Sequence, residues 1–380
     1  MRPPIFSLAL SLVGVALAGL VLAGCDAGVG PGADAGEADG RDPPWRWRRV
    51  ASASFLADGE SEALTLPAPG PAAALALRVS TEPGVCFQLS ALSDGAGEVL
   101  IAERSAGAYC SDCSPRSAVA REAGVFMLDA EQVALAGADL SLRFAQVHCE
   151  TLTPLRSPEE RPALHLDALT IPAEREQAEL DLRLLLAPDS LLFADEARQR
   201  ALLAALADEL LLPAGLSPRL VEVVALEAPS EPLDVHAGDH QALAALLEGA
   251  PPRAETTVDV VVAGCLRYAD PIFGPPQILE GYTPRIPGGA GPADAVFLPA
   301  VDCLGPGEAL TLDVEAQAHV LAHELGHYLG LYHAVEADGG EDPLDDTDAD
   351  NIMHYRPGLA GARGFSPAQG RIMRSHPAVN

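Results

Sequence analysis

Residues 323–333 read His-Glu-Leu-Gly-His-Tyr-Leu-Gly-Leu-Tyr-His, and their types and spacing describe chemistry. On a helix, His323 and His327 lie on one face, one turn apart, so both imidazoles can reach a single ion. Gly330 tolerates positive φ and can end that helix sharply. The chain then doubles back and carries His333 to the same ion. Three neutral imidazoles and one open position make a catalytic Zn²⁺ site rather than a closed structural one. Zinc so held makes water a nucleophile near neutral pH, and Glu324, next to His323, is placed to take the proton. A buried amphipathic helix with core histidines would need none of these spacings.

The elements that must position this stretch follow from the periodicity upstream. The zinc helix is expected to start near Thr311, with Asp313 and Glu315 in its first turn, favourable against the helix dipole. Leu325 and Leu329 continue an apolar side begun by Val320 and Leu321. His319 is four before His323, a turn away from the ion, and reads as structural. Before that, strand and helix alternate. Strands are predicted at Ala178–Ala187, Arg219–Leu226 and Thr257–Ala263, and helices at Phe193–Leu212 and His240–Leu247, the latter capped by Asp239. In the first helix Leu202, Leu203, Leu206 and Leu210 share a face. This order predicts a mixed, largely parallel sheet with helices packed on it. Residues 265–292 read as a long Pro- and Gly-rich loop, Ala295–Leu298 as a short strand, and Ser366–Ser375 as a last helix capped by Ser366.

His323–His333 resembles the zinc signature of the metzincin metallopeptidases. That resemblance implies a Met-turn downstream, whose methionine packs beneath the zinc histidines. Met353 lies twenty residues past His333, within Asp350-Asn-Ile-Met-His-Tyr355, where the family would place it. Within metzincins the sequence is most similar to the pappalysin-like group. The similarity rests on the Leu329-Gly-Leu-Tyr-His333 ending, Asp346-Thr347 before Asn351-Ile-Met353, and Phe365-Ser-Pro-Ala-Gln369 with Met373 beyond. The segment between His333 and Met353 is short for that group, and Met353-His-Tyr355 also resembles astacins. There a tyrosine in the position of Tyr355 serves as a movable zinc ligand or a donor to the oxyanion. The resemblance covers residues 176–380. It implies an edge strand above the cleft that pairs with extended substrate. Ala295–Leu298 is the candidate for it, or else an ordinary sheet strand.

Between His333 and Met353 the alternating Asp346, Asp348 and Asp350 suggest Ca²⁺. The central Gly and terminal Glu of an EF-hand are missing, and Pro357 occupies the twelfth position. The loop therefore reads either as a non-EF Ca²⁺ site or as a solvated acidic loop with one Asp orienting a zinc histidine.

Residues 5–24 are almost entirely apolar and end in Leu22-Ala-Gly-Cys25, which resembles the bacterial lipobox. Residues 1–24 are expected to be a lipoprotein signal peptide, with Cys25 the acylated N-terminus of an exported protein anchored to a membrane. Residues 25–44, mostly Gly, Ala, Asp and Pro, read as a flexible tether. Six cysteines remain, an even count that argues for disulfides in an oxidising compartment: Cys265–Cys303, and two bridges among Cys86, Cys110, Cys113 and Cys149. The formal net charge is −30 and every basic side chain other than His is Arg, a surface that disfavours nucleic acid and anionic lipid.

Residues 45–152 carry short apolar or alternating runs between Gly/Pro turns, the pattern of a small all-β sandwich. Examples are Ala73–Val79, Val85–Leu92 and Leu140–Val147. An accessory binding module, a latency-imposing propeptide or a spacer all fit this stretch. Residues 153–175 read as a Pro-rich, charged linker. The sequence thus predicts an α+β, metzincin-like catalytic domain over 176–380, built as a mixed sheet with packed helices, a zinc helix and a Met-turn. Its reading as a lipid-anchored zinc endopeptidase makes His323, His327 and His333 the ligands, Glu324 the general base, Tyr355 a candidate auxiliary and Met353 the floor. Protein or peptide is then the substrate. The alternative is a surface-anchored binding protein with a vestigial metal site.

Overall fold

The computed structural model describes residues 46–380 apart from 95–98, 102–118, 132, 134, 136–138, 172–173, 228–231, 237–239, 270–275, 306–307, 338 and 357–363. The expected signal peptide, tether and Cys25, and the cysteines 110 and 113, lie outside the described residues. Residues Trp45–Asn380 form one compact unit. Among the described residues no helix is long and apolar enough to cross a membrane.

The first nine strands make one antiparallel sheet. They are β1 (Arg48–Ser54), β2 (Leu64–Leu66), β3 (Ala74–Ser80), β4 (Cys86–Ser93), β5 (Val99–Ile101), β6 (Ala120–Arg121), β7 (Ala123–Asp129), β8 (Leu140–Val147) and β9 (Ala163–Ile171). Their order is β1-β9-β3-β7-β6-β4-β8-β2, with β5 beside β4. Alternation along β3, β8 and β9 sends Leu75, Leu77, Val79, Leu140, Leu142, Phe144, Leu164 and Leu166 into one core. Phe126 and Phe144 meet edge-on there at 5.5 Å between centroids. The disulfide Cys86–Cys149 closes the end of the β4–β8 pair. Ala163–Ile171 was expected in a linker and is instead β9, paired with both β1 and β3. Its Leu-His-Leu-Asp-Ala-Leu alternation is a strand signal, and the Pro-rich stretch before it masked that signal.

The rest of the chain alternates. β10 (Ala178–Leu186) leads to α1 (Glu196–Ala205), then β11 (Leu216–Ala225), β12 (Pro232–Val235) and α2 (Gln241–Glu248). There follow β13 (Thr257–Val262), β14 (Cys265–Tyr268), β15 (Gln277–Leu279), β16 (Val296–Leu298), α3 (Val314–Tyr328) and α4 (Pro367–Arg374). Four strands form a parallel sheet in the order β11-β10-β13-β16, and β12-β14-β15 form a second, smaller one. Leu180, Leu182, Leu184 and Leu186 alternate onto the face that packs α1 and α3, while Leu185 and Val261 face α2. A central parallel strand is buried on both faces, which is why β10 and β13 are near-continuous Leu or Val runs.

Several expectations are corrected here. The helix predicted over Phe193–Leu212 begins at Glu196, capped by Asp195, and passes into a π turn at Leu206–Leu211. Leu202, Leu206 and Leu210 are nonetheless all buried. The N-cap of α2 is His240, and Asp239 lies outside the described residues. The expected loop 265–292 contains β14 and β15, with Cys265 at the start of β14 bonded to Cys303 in the segment after β16. α3 starts three residues later than expected, because Asp313 caps it by accepting from Ala316 N–H instead of lying in the first turn. Ala295–Leu298, the candidate edge strand, contains β16, which lies at the edge of the parallel sheet with its outer side partly covered. β13 flanks one side of β16, and Tyr282 closes the other with reciprocal 2.9 Å bonds to Phe297.

Candidate metal centre and active site

α3 carries both the core contacts and the polar residues. Ala318, Leu321, Ala322, Leu325 and Leu329 recur at helical spacing and bury against the parallel sheet. That leaves His323, Glu324 and His327 on another side, each 7–8 % exposed. The helix ends at Tyr328 with Leu329 as its C-cap, Gly330 takes φ +104°, and Leu331 N–H donates back to Gly326 O. This reversal brings His333 within reach of the helix.

The three imidazoles converge through one edge. His323 Nδ1–H donates to Ile352 O at 2.8 Å and His327 Nδ1–H to Leu331 O at 2.8 Å. His333 Nδ1–H donates to Glu336 Oε2 at 2.9 Å. Carbonyl and carboxylate oxygens only accept, so each Nδ1 carries the proton and each Nε2 a lone pair. Those Nε2 atoms face one another, His327 to His323 at 3.1 Å and His327 to His333 at 3.2 Å. Three lone pairs pointed together repel unless a cation lies between them. Ligand nitrogens at about 2.05 Å in tetrahedral geometry lie about 3.3 Å apart, so the spacing suits zinc. Burial, then the neighbouring histidines, hold His323 down at about 3 and His327 well below the usual imidazole value. Both are therefore neutral at physiological pH, the form that can bind a metal. Among the described residues this is the one group of His, Cys, Asp or Glu able to hold a metal.

Glu324 stands beside this group. Thr283 Oγ1–H donates to its Oε2 at 2.8 Å and also lies 2.9 Å from its backbone carbonyl. Gly281 passes so close that a Cβ there would lie 2.6 Å from Glu324 Cγ and 2.8 Å from Oε1. Burial pushes the carboxyl up to about 7, against the lowering effect of the Thr283 hydrogen bond. A carboxyl poised near neutrality can take and return a proton.

Met353 is fully buried beneath α3, its Sδ occupying the space a Cβ on Gly326 would enter. Asn351 Oδ1 accepts from Met353 N–H and exchanges amide bonds with Gln369 of α4, which shapes this turn. Tyr355 is placed by its N–H to Val335 O, with its ring between His354 and Arg356. Among the described contacts none joins its hydroxyl to the three imidazoles. His319 bonds Glu315 O and is half-buried on the helix. In the acidic loop Asp346 accepts from Ser366 Oγ and Ala368 N–H at the start of α4, and Asp348 accepts from Asp350 N–H. Those carboxylates serve backbone turns.

Three participants escaped the sequence reading. The carboxylate that bonds one of the three histidines is Glu336, not one of the aspartates, although its position three residues after His333 was a usable signal. Thr283 and Gly281 reach Glu324 from about forty residues upstream, and nothing local marks them.

No protein-family model and no curated protein matches the chain. Structural neighbours include metalloproteinases. Metalloproteinase-II from Bacteroides fragilis is 14% identical at TM-score 0.34, covering 53% of this chain and 54% of that one. The chain thus spans about half the length of that neighbour. Mature mirolysin from Tannerella forsythia, in complex with a cleaved peptide, is 14% identical at TM-score 0.34, covering 52% of this chain and 91% of that one. A family two carbohydrate esterase from Clostridium thermocellum in complex with cellohexaose is 9% identical at TM-score 0.16, covering 56% and 61%. Likenesses this distant do not select a function; the residues of the site do.

Proposed function

We propose that this chain is a zinc-dependent endopeptidase of metzincin type, acting on exported proteins or peptides. The convergence of three Nε2 lone pairs, with every Nδ1 proton already committed, carries this reading. His323, His327 and His333 would hold the ion. Bound zinc supplies a Lewis acid for the scissile carbonyl and for the attacking water. Glu324 receives the proton of that water at Oε1, since Oε2 already accepts from Thr283. It then hands the proton to the amine nitrogen as the C–N bond breaks, which restores the carboxylate for another turnover. Gly281 lets main chain approach the carboxylate closely, where any side chain would fill the space. Tyr355, two residues beyond Met353, is the candidate to steady the oxyanion after a movement of its ring. The lipid anchor at Cys25, a membrane-tethered location, a pappalysin-like affinity and an accessory role for the sheet β1–β9 belong to the same proposal.

The test is cleavage of an unfolded protein by purified residues 26–380 beside Glu324→Gln, with zinc content measured in both. Activity confined to the parent at equal zinc establishes the peptidase and its base. Equal zinc with no cleavage by either protein favours the binding-protein alternative.

A further inference from the structure

The loop that touches Glu324 is clamped from behind by the N-terminal sheet. Gly281 and Thr283 contact Glu324, and Gly288 lies flat on the Tyr328 ring with its N–H donating to Tyr328 O. Between them, Arg285 is 5 % exposed. Its Nη1 donates to Ala123 O of β7 at 2.6 Å, and its Nη2 is paired with Asp294 Oδ2. Asp294 also accepts from Ala290 and Gly291 N–H, which folds the far end of the loop onto the same guanidinium. Burial alone would raise the Asp294 carboxyl, but Arg285 and these N–H donors hold it below its ordinary value. β7 continues the clamp with Val125 near Gly289 and Met127 near Gly330. A cavity of about 430 Å³, lined by Arg121, Glu122, Ala244, Arg285 and Asp294 among others, flanks this point. Beside that cavity the seam is held by the polar contacts of Arg285, with Val125 and Met127 packing further along β7.

We propose that Arg285 is a positioning residue for the reaction: it pins the loop 281–294 to the N-terminal sheet, and the loop in turn fixes the Glu324 carboxylate. The sheet is then a wall of the catalytic unit, not a removable latency segment or a spacer. This rests on Glu324 acting as base, and the closing experiment separates the two ideas.

Hydrogen exchange on the metal-free parent needs no catalysis. Residues 281–294 should exchange with β7, as one cooperative unit. Fast exchange of the loop while β7 stays protected would overturn the pin. Two variants then approach it from opposite sides. Arg285→Lys keeps the charge but loses the rigid planar fork that aims separate N–H groups at the two partners. In Gly124→Ala a Cβ would lie 2.5 Å from Ala120 Cβ and 2.6 Å from Arg285 Nη1, crowding the pin from the sheet side. Each should speed exchange in 281–294 and lower kcat by about 10-fold or more with zinc content unchanged, since small misplacements of a reacting group are costly. Arg371→Gln cuts a different tie, that of α4 to Asp129 and Glu131, and should change neither readout. Folded, zinc-loaded Arg285→Lys and Gly124→Ala proteins with parental exchange and kcat would sink the inference. A parent with no peptidase activity would sink the proposed function and leave the exchange result standing.

Discussion

Replacing Glu336 should weaken zinc binding while leaving the fold intact. Its Oε2 accepts from His333 Nδ1–H at 2.9 Å, and it is the one anionic partner among the three that orient the imidazoles. Outer-sphere partners of this kind are worth about 10–100-fold in metal affinity, or about 1.4–2.7 kcal/mol. The two side chains are 26% and 29% exposed, so water screens the pair and can replace the lost acceptor. The low end applies: about 10-fold weaker binding for Glu336→Ala. Glu336→Gln keeps an acceptor for Nδ1–H and loses only the charge. Charge-assisted hydrogen bonds are roughly twice as strong as neutral ones, so half the free energy remains and the loss is about 3-fold. The assay is competition for zinc with a chromogenic chelator, run on parent, Ala and Gln forms at one pH, beside thermal unfolding of the metal-free proteins. The order parent, Gln, Ala, with equal unfolding midpoints, is the expected outcome. Parental affinity in Glu336→Ala would refute the reasoning, because His333 would then be oriented by the chain reversal alone.

Three further outcomes are expected. His376 is buried against Tyr328 and Gly288 O, and burial holds it down at about 4. The unfolded chain protonates it near 6.5 while the folded chain refuses, so its stabilising contribution is complete above pH 6.5 and lost as pH falls to about 4. That amounts to about 3 kcal/mol, seen as a steeper acid loss of urea midpoint in the parent than in His376→Gln; parallel slopes would contradict it. Gly326→Ala gains about 1 kcal/mol of helix propensity, yet its Cβ would meet Met353 Sδ at 2.5 Å and Phe365 at 3.1 Å. Overpacking of about 1–3 kcal/mol should win, lowering the thermal midpoint and the zinc affinity together, and a raised midpoint would show that Met353 yields freely. Asp346→Ala removes the acceptor for Ser366 Oγ and Ala368 N–H, and should cost about 1 kcal/mol in denaturant titration. Calcium should stabilise parent and variant equally if Asp346 serves only α4, and a calcium effect on the parent alone would support the Ca²⁺ reading of the loop.

The chemistry-bearing residues and the main strands were legible in the sequence because their signals are local. Four residues separate His323 from His327, and helix geometry does the rest. Gly330 was marked by its residue type for the positive φ that the structure gives it. Leu-rich β10 and Val-rich β13 declared themselves by composition, and Ser366 by its place before Pro367 and Gln369. Cys265 and Cys303 were paired by elimination within one half of the chain and are bonded.

Other features depended on contacts that no local pattern encodes. β9 looked like linker because its partners, β1 and β3, lie about ninety to one hundred and twenty residues earlier. Ala295–Leu298 does lie at the sheet edge, but nothing in those four residues announces that Tyr282 will bridge to Phe297 on its outer side. Arg285 and Ala123 meet across 162 residues, and Thr283 and Glu324 across 41. By itself the sequence determined which side chains could bind a metal and move a proton, since residue type and helical spacing are properties of the chain. Only the tertiary structure decided what orients them and what buries them. Those properties belong to the space around a side chain, and that space is filled by distant segments whose arrival depends on packing the whole core.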